Sequence, residues 1–290
     1  MLDTPTPEGK HRYTNTPRKA DYTIDQNWAS YTDAEHDRWN RLAHAVTALL
    51  PERAAPQFIE ALQTLDLTTG GVPDMEKLSD RLEPLTGWRV VPVTDLVPDD
   101  IFFDHLANRR FPAGAFIRSE AEMEYLEEPD IFHDIFGHVP LLADPVYADF
   151  MEAYGKGGQR AMERGQLHNL ARLYWYTVEF GLMDTAEGMR IFGAGILSST
   201  GEIRFCLENA SPHHVCFDLE RVMRTNYIID DYQQTYFVID SFEKLLEACY
   251  ADFGDLYDRL AQRADIEPET LIDGDAVVQT GTLAHFRGAD

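Results

Sequence analysis

The chain has 290 residues, 44% hydrophobic and 11% aromatic, which supports a substantial globular core in one large domain or two small ones. A formal charge of −25 argues against nucleic acid or anionic membrane as partners, because both require basic patches. Cys206, Cys216 and Cys249 form no C-x-x-C pair, the first residues lack the order of a signal peptide, and no apolar run approaches the ~20 residues of a membrane span. A cytoplasmic location is the expectation.

Residues 1–30 are polar, rich in Thr and Pro, and aperiodic, which predicts an extended or partly disordered arm. Thr32-Asp-Ala-Glu35 matches a capping box, and Trp39, Leu42, Ala43, Val46, Leu49 and Leu50 follow at helical spacing until Pro51. Two more amphipathic helices carry Phe58, Ile59, Leu62 and Leu65, then Met75, Leu78, Leu82 and Leu85, with Gly87 as a stop. Trp88–Val93 reads as a short strand confined to an edge by Pro92, 99–108 as a helix, and 113–118 as another strand. Further on, helices are expected over 145–164 and through Glu179, then strands and turns over 189–206 around Gly193, Gly195 and Gly201. A helix over 218–225, a strand over 235–240 and a helix over 241–261 follow. After Arg263 the chain turns acidic and aperiodic, a tail expected to pack loosely. The expected fold is mainly α with a small β portion: an arm over 1–30, a single helix-rich domain over 31–263 and an acidic tail over 264–290.

The chemistry concentrates in Pro129–Pro140, where His133, Asp134 and His138 interrupt an apolar run. Buried imidazoles need partners, and a metal ion can serve two at once. The histidines are five apart (138 − 133), not four as in the H-E-x-x-H zinc signature. At about 100° per residue they would point roughly 140° apart on an ideal helix. The expected solution ends the helix between them, with Asp130 as its cap, Gly137 at the left-handed terminal position and Pro140 forbidding continuation. Glu179 interrupts the apolar helical stretch Leu170–Leu182 and is the candidate third ligand, since a buried carboxylate is costly unless paired or metal-bound. Two His and one carboxylate suit a mononuclear non-haem Fe(II) site. Core histidines with a Glu179–Arg172 ion pair, and a zinc hydrolase using the same ligands, are the competing readings.

Three segments now align with one family. Pro129–Leu141, Leu173–Leu182 and Phe192–Ser199 resemble, in order, the motifs of the pterin-dependent aromatic amino acid hydroxylases, and the similarity runs from about Thr86 to Phe253. The resemblance implies a helix-rich basket around Fe(II) held by His133, His138 and Glu179. It also implies a tetrahydropterin, tetrahydrobiopterin or a relative, that supplies two electrons while O2 supplies the oxygen that converts L-phenylalanine to L-tyrosine. A tryptophan hydroxylase of the same family is the nearest alternative.

By the same resemblance the substrate ring lies among Trp175, Phe180 and His133, and Arg118 holds the substrate carboxylate, braced by Asp130 and joined by Ser198. Helical geometry puts Trp175 one turn before Glu179 on the same face. The family's pterin contacts map to Leu96, Val97, Phe102, Asp134 and Tyr174. There are departures: Leu126 replaces a substrate-binding Thr of animal relatives, and Asp95 and Asp99 stand where those relatives have small residues. Ile229, in the loop after Asn226, replaces an Asp of tyrosine hydroxylases, and its apolar wall favours phenylalanine over a phenolic substrate. Nothing upstream of the domain suggests a regulatory domain and the tail lacks a heptad-patterned helix, so a monomer acting on small molecules is expected.

Overall fold

A computed structural model describes residues 13, 15–123, 128–250 and 253–288; Leu126 lies outside the described residues. Helix α1 (Asp33–Thr47) starts at the reciprocal Thr32/Glu35 cap and buries Trp39, Leu42, Ala43 and Val46. Helices α2 (Pro56–Thr64) and α3 (Met75–Thr86) bury Phe58 and Leu62, and Met75, Leu78 and Leu82. Gly87 closes α3 at φ 78°, a left-handed conformation that a side chain would strain.

Strand β1 (Arg89–Val93) pairs in parallel with β2 (Arg110–Gly114), so the second strand lies a few residues earlier than 113–118. Between them α4 (Asp99–Ala107) lies against α5 (Pro145–Glu163). A Cβ on Gly155 would meet Ala107 N at 2.4 Å, and one on Gly158 would meet the Phe103 ring at 1.9 Å. Two bare glycines therefore let these helices touch, and the contact sets the position of α4 and its Phe102.

After α6 (Leu167–Tyr174) come β3 (Leu182–Thr185) and β4 (Gly188–Ile191). Strand β4 meets the start of the strands and turns expected over 189–206, but helices α7 (Ala194–Leu197) and α8 (Thr200–Glu208) replace the rest. The glycines there read as turns, but Gly193 and Gly195 are close-approach positions: their added Cβ atoms would meet Glu179 O at 2.3 and 3.1 Å. The chain continues through β5 (His213–Cys216), α9 (Leu219–Arg224), β6 (Thr235–Ile239), α10 (Phe242–Tyr250), α11 (Gly254–Leu260) and β7 (Val277–Gln279). The five-stranded sheet has the order β4-β3-β6-β5-β7. The result is a helix-rich domain with a small sheet portion.

The described parts of the arm and the tail are packed on this body. In the arm, Tyr13 is buried and its hydroxyl donates to Gln26 O at 3.1 Å, Ile24 N donates to Pro92 O, and Asp21 pairs with Arg110 at 2.8 Å. The tail does not pack loosely. It adds β7 to the sheet, buries Ile266 and Leu283, and places Asp275 2.9 Å from Arg221, both side chains only 4% exposed. A buried guanidinium needs such a partner, and the acidic composition of the tail concealed it.

Candidate active site

The His133–His138 segment does not end a helix between the two rings. Phe132–His138 is a π-helical turn, with Asp130 Oδ1 accepting from His133 N at 3.1 Å at its start. In a π-turn the hydrogen bonds run to the fifth residue, so side chains five apart fall on one face. The 140° offset of a regular helix shrinks, and the rings meet at 4.9 Å. Gly137 takes no left-handed conformation. Its bareness serves packing instead, since a Cβ there would lie 2.9 Å from Ala194 O of α7. Pro140 opens a short 3-10 turn rather than stopping the chain.

Glu179 lies at the end of a second π-turn, Trp175–Glu179, closed by Phe180 N donating to Trp175 O at 2.9 Å. The same widening places Trp175 beside Phe180, five residues on, with ring centroids 4.8 Å apart. The Trp175–Phe180 contact joins the two rings assigned to the substrate. Arg172 does not pair with Glu179: its guanidinium donates to both carboxylate oxygens of Asp265, at 2.8 and 2.7 Å.

Three donor atoms converge. His133 Nε2 lies 3.1 Å from His138 Nε2, and the Glu179 oxygens lie 3.1 Å from His138 Nε2 and 3.6 Å from His133 Nε2. Three ligands at right angles, each about 2.1 Å from an ion, would lie about 3.0 Å apart. Ser198 Oγ donates to Ala194 O at 2.8 Å and so accepts from His133 Nδ1, 2.9 Å away, which leaves the Nε2 lone pair facing the other donors. Two ring nitrogens facing each other at that distance need a proton or a cation between them. The donor set therefore fits a metal ion.

Asp134 offers a second carboxylate, its ligand atom within 4.8 Å of those of both histidines. Its Oδ2 already accepts from Gly114 N at 2.7 Å, and burial pushes its carboxyl up to about 7. Burial also raises Glu179, but the two imidazoles outweigh it and hold that carboxyl below its ordinary value. Burial pushes His133 down to about 4, so the ring is neutral. Burial likewise opposes charge on His138, where the adjacent Glu179 carboxylate prevails and lifts the ring above its ordinary value.

A cavity of about 180 Å³ opens onto these donors, lined among others by Leu96, Val97, Phe102, Asp134 and Tyr174. Beside the donors, Arg118 is 7% exposed and donates through Nε and Nη2 to the two oxygens of fully buried Asp130, at 2.9 and 2.8 Å. A sequence model of the biopterin-dependent aromatic amino acid hydroxylases matches residues 12–260. The chain belongs to this family. Among its fellow hydroxylases, the phenylalanine-4-hydroxylase of Caulobacter vibrioides is 58% identical over 92% of this chain and 91% of that protein. The phenylalanine-4-hydroxylase of Ralstonia nicotianae is 51% identical over 91% and 84%. The iron- and phenylalanine-bound crystal structure of the Chromobacterium violaceum hydroxylase has 47% identity and a TM-score of 0.89, covering 94% of this chain and 100% of that one.

At two residues expected near the substrate the structure shows other contacts. Ile229 stands 70% exposed, and the residue of its loop that meets Trp175 is Tyr227, stacked at 4.3 Å. A flat aromatic face covers the indole better than a branched aliphatic side chain. Ser198, expected at the substrate carboxylate, bonds to His133. Tyr227 and Gln233, whose amide meets Trp175, escaped notice because a lone Tyr or Gln in a polar loop carries no pattern. Among the described residues no helix is long and apolar enough to cross a membrane.

Proposed function

We propose that this chain is an Fe(II)- and tetrahydropterin-dependent monooxygenase that converts L-phenylalanine to L-tyrosine. The observation that carries the reading is the convergence of His133 Nε2, His138 Nε2 and the two Glu179 oxygens at 3.1 to 3.6 Å, at the wall of the cavity. When bound, iron and a tetrahydropterin would activate O2, which supplies the oxygen atom while the pterin supplies two electrons.

The chain's own residues bind, orient and exclude water. His133, His138 and Glu179 hold the metal, and Glu179 is preferred to Asp134 because its oxygens lie nearer and its carboxyl stays ionised. Ser198 fixes the His133 tautomer. Arg118, braced by Asp130, keeps its Nη1 end for the substrate carboxylate; a planar guanidinium suits that group. Trp175 and Phe180 hold the ring by offset and edge contacts worth about 1 kcal/mol each. Leu96, Val97, Phe102, Asp134 and Tyr174 line the cavity assigned to the pterin. We further take the enzyme to be a cytoplasmic monomer, since every proposed ligand comes from one chain and Cys206, Cys216 and Cys249 are unpaired.

Tyrosine formation from phenylalanine with Fe(II), O2 and a reduced pterin tests the proposal. Metal-dependent activity without pterin, or none with it, refutes the reading.

A further inference from the structure

Trp175 is held from three sides. Tyr227 stacks on it at 4.3 Å with 16° between planes, Phe180 tilts against it at 4.8 Å, and its Nε1–H donates to Gln233 Oε1 at 2.9 Å. An indole N–H can only donate, so the amide atom facing it is the oxygen. The Nε2 end of Gln233 then faces its own loop, donating to Ile228 O at 3.0 Å and Asp231 O at 3.4 Å. The side chain is 2% exposed, and both ends of its amide are in use.

No other residue meets these demands. Asn is too short, Glu loses both donations, and an aliphatic residue leaves one donor and two carbonyls without partners. The loop itself is tied at its start, where Tyr176 Oη donates to Asn226 O at 2.6 Å and Arg172 bonds the Asn226 side chain. A loop needed only as a connection would not require a buried amide aimed at the indole.

We propose that Gln233 is a positioning residue for the aromatic substrate, locking the loop over 226–233 to Trp175 so that the indole plane is set before substrate binds. The inference rests on the substrate reading given above. Its physical basis is preorganisation: a shelf already at its working angle loses nothing to ordering when the ring arrives.

Trp175 is one of 4 tryptophans, so its indole N–H can be followed by proton–nitrogen NMR, with Trp175→Phe assigning the resonance. In Gln233→Met, which keeps the length and loses all three hydrogen bonds, that N–H should exchange with solvent at least about 10-fold faster. KM for phenylalanine should rise about 5- to 10-fold with a smaller change in kcat, and fewer tyrosines should form per pterin oxidised. The Gln233→Met/Trp175→Phe double variant should be no worse than the worse single one, because the two residues act as a unit. Unchanged indole exchange, an unchanged KM, or losses that multiply in the double variant each overturn the proposal. If Gln233→Met fails to fold, Gln233→Glu, which keeps the acceptor for Trp175 but releases the loop carbonyls, is read by KM and by the double-variant cycle, where an unchanged KM or multiplying losses again overturn the proposal. Wild-type protein that makes no tyrosine defeats the substrate reading instead, and indole exchange still decides whether Gln233 fixes Trp175.

Discussion

Asp130→Ala probes the end of the site assigned to the substrate carboxylate. Asp130 is 0% exposed and accepts from Arg118 N and Nε, both at 2.9 Å, from Arg118 Nη2 at 2.8 Å and from His133 N at 3.1 Å. Removing it strands a guanidinium that is itself buried over the Phe132 ring. Breaking a buried pair from one side costs about 3–5 kcal/mol. At about 2 °C per kcal/mol for a chain of this size, Tm should fall by about 6–10 °C. The double variant Arg118→Leu/Asp130→Leu leaves no buried charge and should recover at least half of that fall while KM for phenylalanine stays high. Burial raises the Asp130 carboxyl, but Arg118 outweighs it and holds the group below its ordinary value. The contribution is therefore complete above about pH 4 and is lost as pH falls below it, so wild type and variant should converge on acidification. Thermal unfolding near pH 7 and near pH 3, with KM measured at neutral pH, covers every arm. A Tm within about 2 °C of wild type for Asp130→Ala, or a normal KM in the double variant, would refute the reasoning.

Other substitutions test other parts of the site. His133→Ala, His138→Ala and Glu179→Ala should each abolish tight iron binding and tyrosine formation in a folded protein; normal turnover in any one removes that residue from the ligand set. Gly195→Ala would put a Cβ 3.2 Å from Glu179 Oε2 and 3.0 Å from the Phe180 ring, so iron affinity, read by metal titration, should fall about 10-fold. Affinity equal to wild type would show that the carboxylate has room to move. Glu202 is 6% exposed beneath Tyr236, whose hydroxyl donates to it, and burial pushes its carboxyl up to about 7 from 4.5. The folded chain thus keeps a proton that the unfolded chain releases, so stability falls as pH rises from about 4.5 through about 7. Glu202→Gln should match wild type near pH 5 and exceed it by up to about 3 kcal/mol near pH 8; equal denaturation midpoints at the higher pH would contradict the burial argument. Phenylalanine should have a higher kcat/KM than tyrosine or tryptophan, by roughly 10- to 100-fold where hydrophobic fit alone discriminates, and a reversed order in parallel assays would change the substrate assignment.

How much of this could be read from residues alone depended on whether a side chain conflicted with its neighbours. His133, His138 and Glu179 stood out because polar groups inside apolar runs require partners, and the structure brings all three together. The α1 capping box and the apolar stripes of α1 to α3 were equally legible, since local period and local capping agree there. Gly193 and Gly195 were misread as turn residues, because a glycine needed for close approach looks the same in sequence as one needed for a left-handed turn. The Arg221–Asp275 contact spans 54 residues and has no local signature at all. Gln233 is similar: one polar residue in a polar loop, whose importance exists only in the angle between its amide and an indole 58 positions away.

The feature that organises the site was visible only as a contradiction. Five-residue spacing cannot aim two histidines at one point from a regular helix, and the available remedies were to stop the helix or to widen it. The chain widens it twice. The first π-turn brings His133 against His138, and the second brings Trp175 beside Phe180 while leaving Glu179 to face the histidines. Each wide turn is supported from outside by bare backbone: Gly137 lies against Ala194 O, and Gly193 against Glu179 O and Gly181 N, at distances a Cβ could not share. A π-turn is rare in helices and persists where surrounding packing over-determines it. Here α7 supplies that packing to both turns, so one short helix holds the proposed metal ligands and the proposed aromatic shelf in a fixed relation. Relaxing either turn to α geometry would rotate its second residue about 140° away from the first, and would separate the two histidines in one case and the two rings in the other.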